Sequence, residues 1–227
     1  MPRSLVILGT GPHAREMAAI VDRVNAVVPT WELAGFVAEH RPVRTRSLDG
    51  RRILGRINVL DGLPDAAVVP ESEWWQLDEI PGERYASLVD PSCFVAPDAH
   101  VGRGCVVFPH GFLGSGARLA AFVFCLAGCI VNHDVEIEER VMLASGVTLA
   151  GKVRVGRGAY LGQRATVRQE IRIGARSLVG MGSVVIEDVA PNTVVAGNPA
   201  RVLRDSNDVH RPGSGMGTGE FRRLQER

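Results

Sequence analysis

VNHDVEIEERVMLASGVTLAGKVRVG, from Val131 to Gly156, decides how this chain folds. Val131, Ile137, Leu143, Leu149 and Val155 stand six apart, and Val135, Val141, Val147 and Val153 each precede one of them by two. A period of six fits neither a helical turn of about 3.6 residues nor the alternation of a lone strand. It marks a solenoid of short strands and turns, in which each unit buries its apolar face only by stacking on its neighbours. Followed outward, the first row runs without a slip from Val89 to Val185, 17 hexads in all, and the second holds only small or apolar residues from Ala99 to Ile171. Two inward rows define one narrow core. No hexad is interrupted, so no long loop leaves the prism, and a site has to be built from coil surfaces, neighbouring chains or the rest of the chain.

The 227 residues carry 26 Lys+Arg against 25 Asp+Glu and are 45% hydrophobic, with no apolar run near the length of a membrane span. No basic face calls for nucleic acid, and the apolar start, MPRSLVILGTG, is too short and too soon broken by glycine for a signal peptide. The expectation is a soluble, cytoplasmic protein with no membrane insertion. Cys93, Cys105, Cys125 and Cys129 all lie on the inward rows, where thiols act as small hydrophobes, and no CxxC suggests zinc.

Before the repeats, SLVILG (Ser4 to Gly9) reads as a buried strand. Gly9, Gly11 and Pro12 then open a segment with Met17, Ile20, Val21 and Val24 at helical spacing. WELAGFVAE (Trp31 to Glu39), RRILG (Arg51 to Gly55) and DAAVVP (Asp65 to Pro70) supply further extended pieces. The expected organisation is a small α/β unit over 1–83, the size of half a Rossmann-like fold, then the prism over 84–204 and an aperiodic, mobile tail over 205–227. The turn fits GxGxxA, whose physics is approach of the backbone to a phosphate at a helix N-terminus. Two other readings stand beside that one: a dinucleotide site with Glu39 on a ribose, for which the unit is short, and a turn that only joins strand to helix.

His133 follows the inward Val131 by two and precedes the inward Val135 by two, so neither core row can hold it. With three hexads to a coil, Ser115 lies below it and Gly151 above, and a glycine over the ring leaves room for a ligand. Asp134, also off the core rows, can fix the tautomer of the ring and raise its basicity. A solvated surface histidine is the other reading of the same register.

The hexads resemble the left-handed parallel β-helix of the hexapeptide-repeat acyltransferases, which supplies the handedness and triangular section. AGCIVNHDVEIEE (Ala127 to Glu139), VGMGSVVIEDVAPNTVVAGNPARVL (Val179 to Leu203) and ILGTGPHARE (Ile7 to Glu16) together resemble the nucleotide-sugar N-acetyltransferases of the bacillosamine and perosamine type and the related sialic acid O-acetyltransferases. The resemblance implies that His133 is a general base and that Asp134 increases its basicity. It also implies that Gly11, Pro12, His13, Glu39 and Gly55 meet a nucleotide-linked sugar, and that Met142, Gly151, Gln163 and Met181 meet acetyl-CoA. By the same resemblance the chain is a homotrimer with acetyl-CoA between two prisms and no metal. Four residues or stretches depart from the family: Ala38 replaces an acid, Met142 a histidine and Glu138 a glycine, while VVPESEWWQ (Val68 to Gln76) lacks a turn of glycine and paired asparagines.

The implied reaction is direct transfer to an amino group, which needs a base and a donor to the oxyanion but no nucleophilic residue; transfer to a sugar hydroxyl is the alternative. A zinc site like that of the γ-type carbonic anhydrases would draw on His100, His110 and His133, but these occupy three different hexad rows. A non-catalytic binding module has the intact His133–Asp134 pair against it.

Overall fold

The computed structural model describes residues 1–38, 46–72 and 79–205. Its N-terminal strands are β1 (Arg3–Leu8), β2 (Trp31–Val37), β3 (Ser47–Leu48), β4 (Arg51–Gly55) and β5 (Ala67–Pro70), with helix α1 (Pro12–Val27) between the first two. They form one sheet in the order β3-β4-β2-β1-β5, parallel throughout except for the β3–β4 pair. Leu5 to Leu8 are buried without interruption, as a strand covered on both faces requires. Helix α1 buries Ala14, Met17, Ala18, Ile20 and Val21, a stripe at three- and four-residue spacing. Each stretch read as extended in the sequence contains a strand, and β3 adds a short hairpin through Asp49 and Gly50, both at positive φ, an Asp-Gly turn signal that sequence reasoning passes over.

From Leu88 onward each hexad contributes a two-residue strand. Strands pair in parallel with those eighteen residues away, Leu113 with Val131 and Val131 with Leu149, so three hexads close one coil. The result is a parallel β-solenoid with three sheets. Every residue of the first row from Val107 to Val185 is buried, and the second row is buried from Cys105 to Ile171. At the N-terminal end of the described solenoid Val95, on the edge strand of its sheet, is 37% exposed. At the other end Ser177 and Ser183 replace apolar residues of the second row, and Ser183 Oγ accepts the Gly197 N–H at 3.2 Å as the chain folds into the closing hairpin Thr193–Gly197 and Ala200–Asp205.

The backbone period is as strict as the apolar one. From Gly104 to Gly182 every sixth residue has a positive φ, and eight of these fourteen positions are not glycine, Asp134 among them at 57°.

The three faces of the prism have different outer surfaces. On the face whose strands include Val106–Val107 and Phe124–Cys125, the side chains of Val106, Phe108 and Phe124 are buried in one cluster with Leu5, Ile7, Met17 and Phe36 of the N-terminal sheet and helix. Asp90, with a fully buried side chain, fastens the first hexad to α1 by accepting two hydrogen bonds from the Arg23 guanidinium at 2.6 and 3.0 Å. A second face carries the exposed ladder His100, Arg118, Glu136, Arg154 and Arg172. The third presents Phe94, Phe112 and Ile130, which are 55%, 37% and 39% exposed, with the two phenyl rings stacked at 5.1 Å. Among the described residues no helix is long and apolar enough to cross a membrane.

Candidate active site

The corner between the Ile130–Val131 and Glu136–Ile137 strands holds His133 and Asp134. Their turn is clamped by the coils on either side: Asp134 N–H donates to Ser115 O at 2.9 Å, Lys152 N–H donates to His133 O at 3.0 Å, and Asn132 Nδ2 donates to Leu149 O at 2.8 Å. The left-handed backbone at Asp134 turns its carboxylate back toward the ring, and Oδ2 lies 3.0 Å from His133 Nδ1. Both side chains stay open to solvent, 62% and 59% exposed. With Nδ1–H donated to the carboxylate, the lone pair sits on Nε2, which is then the proton-accepting atom.

Nε2 lies directly over Gly151, where a Cβ would collide with it and with Cε1. The register argument gives the space above the ring to a ligand; in the structure the ring itself fills it. Gly151 is therefore a seat for the base. Gly116 does the same below, since a Cβ there would stand 2.6 Å from Asp134 Oδ1.

The other candidate residues lie apart from this corner. Gly11, Pro12 and His13 form the turn into α1. The His13 ring packs against Phe108 and Phe124, with centroids 6.1 and 5.5 Å away, and its Nδ1 lies 3.3 Å from Ser72 Oγ. That face of the prism is the one opposite the His133 corner. Gly55 ends β4 and accepts the Ala38 N–H at 2.8 Å; Glu39 lies outside the described residues. Met142 stands on the covered face between Phe124 and Tyr160, packed against the N-terminal core. Gln163 and Met181 share another corner, one coil apart, where Gly182 N–H donates to Gln163 O at 2.8 Å. Within one chain, then, Gly151 is beside His133 while Met142, Gln163 and Met181 are not.

Two residues that sequence reasoning passes over belong to the glycine turn. The Glu71 carboxylate accepts the Gly11 N–H at 3.0 Å and the Ala14 N–H at 3.3 Å, and Ser72 meets His13. Both lie in the stretch that departs from the family, and a partner some 60 residues from the turn leaves no local signal. Asp134 did leave one: it is in phase with Gly116, Gly128 and Gly146, the positions where the turn needs a left-handed residue.

All four cysteines are free. Burial pushes the Cys105 and Cys129 thiols up to about 12 and Cys125 well above its ordinary value, so none of these three is a nucleophile near neutrality. Among the described residues no group of three His, Cys, Asp or Glu side chains could hold a metal ion, and His100, His110 and His133 lie on a strand and two different corners. A cleft lined by Arg3, Asp61, Asp65, Glu79 and Arg84 opens at the N-terminal end of β1, the end of a parallel sheet away from the glycine turn.

No protein-family model matches the chain. Among solved structures it is similar to the acetyltransferase domain of PglB from Neisseria gonorrhoeae in complex with acetyl coenzyme A, at 25% identity and a TM-score of 0.81 over 89% of this chain and 100% of that one. It is also similar to a mutant of GDP-perosamine N-acetyl transferase from Caulobacter crescentus in complex with CoA and GDP-perosamine, at 24% identity and a TM-score of 0.78 over 89% and 97% of the two chains. Serine acetyltransferase 4 of Arabidopsis thaliana is 32% identical over 117 residues, 48% of this chain and 28% of that protein. The chain spans about three tenths of the length of such curated relatives, 28% and 32% of the two serine acetyltransferases. The resemblance carried by the HD pair and the GNPA exit thus agrees with the solved structures whose fold this chain shares.

Proposed function

We propose that this chain is an acetyl-CoA-dependent N-acetyltransferase acting on a nucleotide-linked amino-deoxy sugar, with transfer direct to nitrogen. The observation that carries the reading is the His133 corner: an exposed imidazole with Nδ1 on a carboxylate and Nε2 seated over a glycine. The acceptor nitrogen attacks the thioester carbonyl carbon and gives its proton to Nε2. As the tetrahedral intermediate collapses the carbon–sulfur bond breaks, and the imidazolium returns the proton to the departing thiolate to give CoA. Base catalysis of this kind is worth roughly 100- to 10,000-fold, and holding the two substrates together supplies much of the rest. The PglB domain binds acetyl coenzyme A and the perosamine enzyme binds CoA and GDP-perosamine, which supports both substrates of the reading. Cys105, Cys125 and Cys129, the thiols nearest His133 in sequence among them, are buried with raised pKa, which supports direct transfer over an acyl-cysteine on any of these three.

The chain divides into an acceptor-binding, Rossmann-like half domain (residues 1–83), a left-handed prism (84–204) and a tail (205–227) whose residues from 206 lie outside those described. The His13 turn and His133 lie on opposite sides of one prism, so one chain alone does not join acceptor and base. A homotrimer joins them, the corner of one prism facing the N-terminal turn of the next, with acetyl-CoA between Gly151 of one and Gln163 and Met181 of another. The exposed apolar ladder Phe94–Phe112–Ile130 supports such an assembly. A CoA-release assay across UDP-, GDP- and dTDP-linked 4-amino-4,6-dideoxy sugars and their 4-hydroxy counterparts tests the reading. Turnover of an amino sugar nucleotide is expected; turnover of the hydroxyl series alone would move the activity to oxygen, and of neither would remove it.

A further inference from the structure

Glu71 follows directly on β5 and turns its carboxylate into the loop between β1 and α1. Besides accepting from Gly11 and Ala14, it donates its own backbone N–H to Leu8 O at 2.7 Å, so the residue is held at both ends, and only 9% of it is exposed. A Cβ on Gly9 or on Gly11 would strike this carboxylate. Gly11 therefore makes room for Glu71 itself, and Gly9 does so at a φ of 133° that already calls for glycine. Pro12 has no N–H to offer, and of the first-turn donors that an anion at this helix N-terminus would need, Gly11, His13 and Ala14, two point at Glu71 instead. A phosphate placed there would lose those donors and meet a like charge at contact distance.

We propose that Glu71 is a specificity-determining residue that closes the glycine turn to phosphate. A nucleotide-linked acceptor keeps its diphosphate outside the α1 N-terminus. The proposal rests on the acetyltransferase reading only in taking the acceptor to carry phosphate.

The test uses the full chain saturated with CoA, so that sites for the phosphates of CoA are filled, and melts it across a series of pyrophosphate concentrations beside Glu71→Gln and Glu71→Ala. Wild type and the glutamine variant, which keeps the size and an acceptor oxygen, are expected not to shift. The alanine variant is expected to gain melting temperature with pyrophosphate, as a protein does when a ligand binds only its folded state. A pyrophosphate-dependent rise in wild type overturns the proposal, and so does a folded alanine variant that pyrophosphate leaves unchanged. Should the alanine variant not fold, the other two decide: no rise in either upholds the closed turn, and a rise in either overturns it. Turnover of sugar nucleotides is measured in parallel. Its absence with the expected melting pattern removes the acetyltransferase reading and leaves the closed turn standing, whereas turnover by a pyrophosphate-stabilised wild type does the reverse.

Discussion

Gly151→Ala adds one methyl group to a well-ordered corner, and its expected effect is on catalysis with little on the fold. The new Cβ would land on His133 Nε2 and Cε1 and stand 3.0 Å from Cδ2, so the ring has to leave its seat and, with it, the 3.0 Å hydrogen bond to Asp134. His133 is 62% exposed and has solvent to swing into, which limits the cost to that of an altered rotamer, about 0.5–1.5 kcal/mol. Deleting the base outright, as in His133→Ala, is expected to lower turnover roughly 100- to 10,000-fold, or about 3–5 kcal/mol of transition-state stabilisation. A displaced but present imidazole should lose part of that, on the order of ten- to a thousandfold. Thiol release from acetyl-CoA measures kcat and KM for the single variants and for the double variant. If Gly151 acts by seating the ring, kcat falls, and Gly151→Ala has no further effect on kcat once His133 is alanine. Two results would refute the reasoning: full turnover by Gly151→Ala, or losses that multiply in the double variant.

Val131 and Leu149 are fully buried and stacked on one another, so aspartate at either should cost several kcal/mol and abolish the fold; a soluble protein with an unchanged melting temperature would show the register to be wrong. Burial raises the Asp90 carboxyl, but hydrogen bonds from Arg23 and Ser92 outweigh that and hold it below its ordinary value. Its contribution to stability is then complete above about pH 4 and is lost as the pH falls through the folded value; acid unfolding of Asp90→Asn should be shallower, and an identical acid limb would count against the clamp. In the native protein Cys105, Cys125 and Cys129 should resist a thiol reagent near pH 8 and react only after denaturation, so rapid native labelling of Cys125 would contradict its place in the core.

The prism was legible because each of its strands pairs with strands eighteen positions away, and a contact at fixed separation imprints a period on the sequence. That period also takes His133 off both core rows before any coordinates are known. The strand, glycine turn and helix at the start were legible for a similar reason, since β1 and α1 bury continuous or helically spaced apolar faces. The role of the glycines was not. GxGxxA reads as an open seat for phosphate, yet Glu71 occupies the space beside Gly9 and Gly11.

The sequence by itself therefore determined which residues face inward, that Cys105, Cys125 and Cys129 are core thiols, and that an imidazole and a carboxylate stand together on a coil surface; Cys93, also on an inward row, is only half-buried. Only the tertiary structure decided what surrounds them: the ring of His133 seated on Gly151, and the helix N-terminus closed by Glu71. The physical reason is the range of the contacts. Stacking repeats at every coil and is written over and over, whereas a hydrogen bond between Gly11 and a carboxylate 60 residues away is made once, and a single contact leaves no period to read.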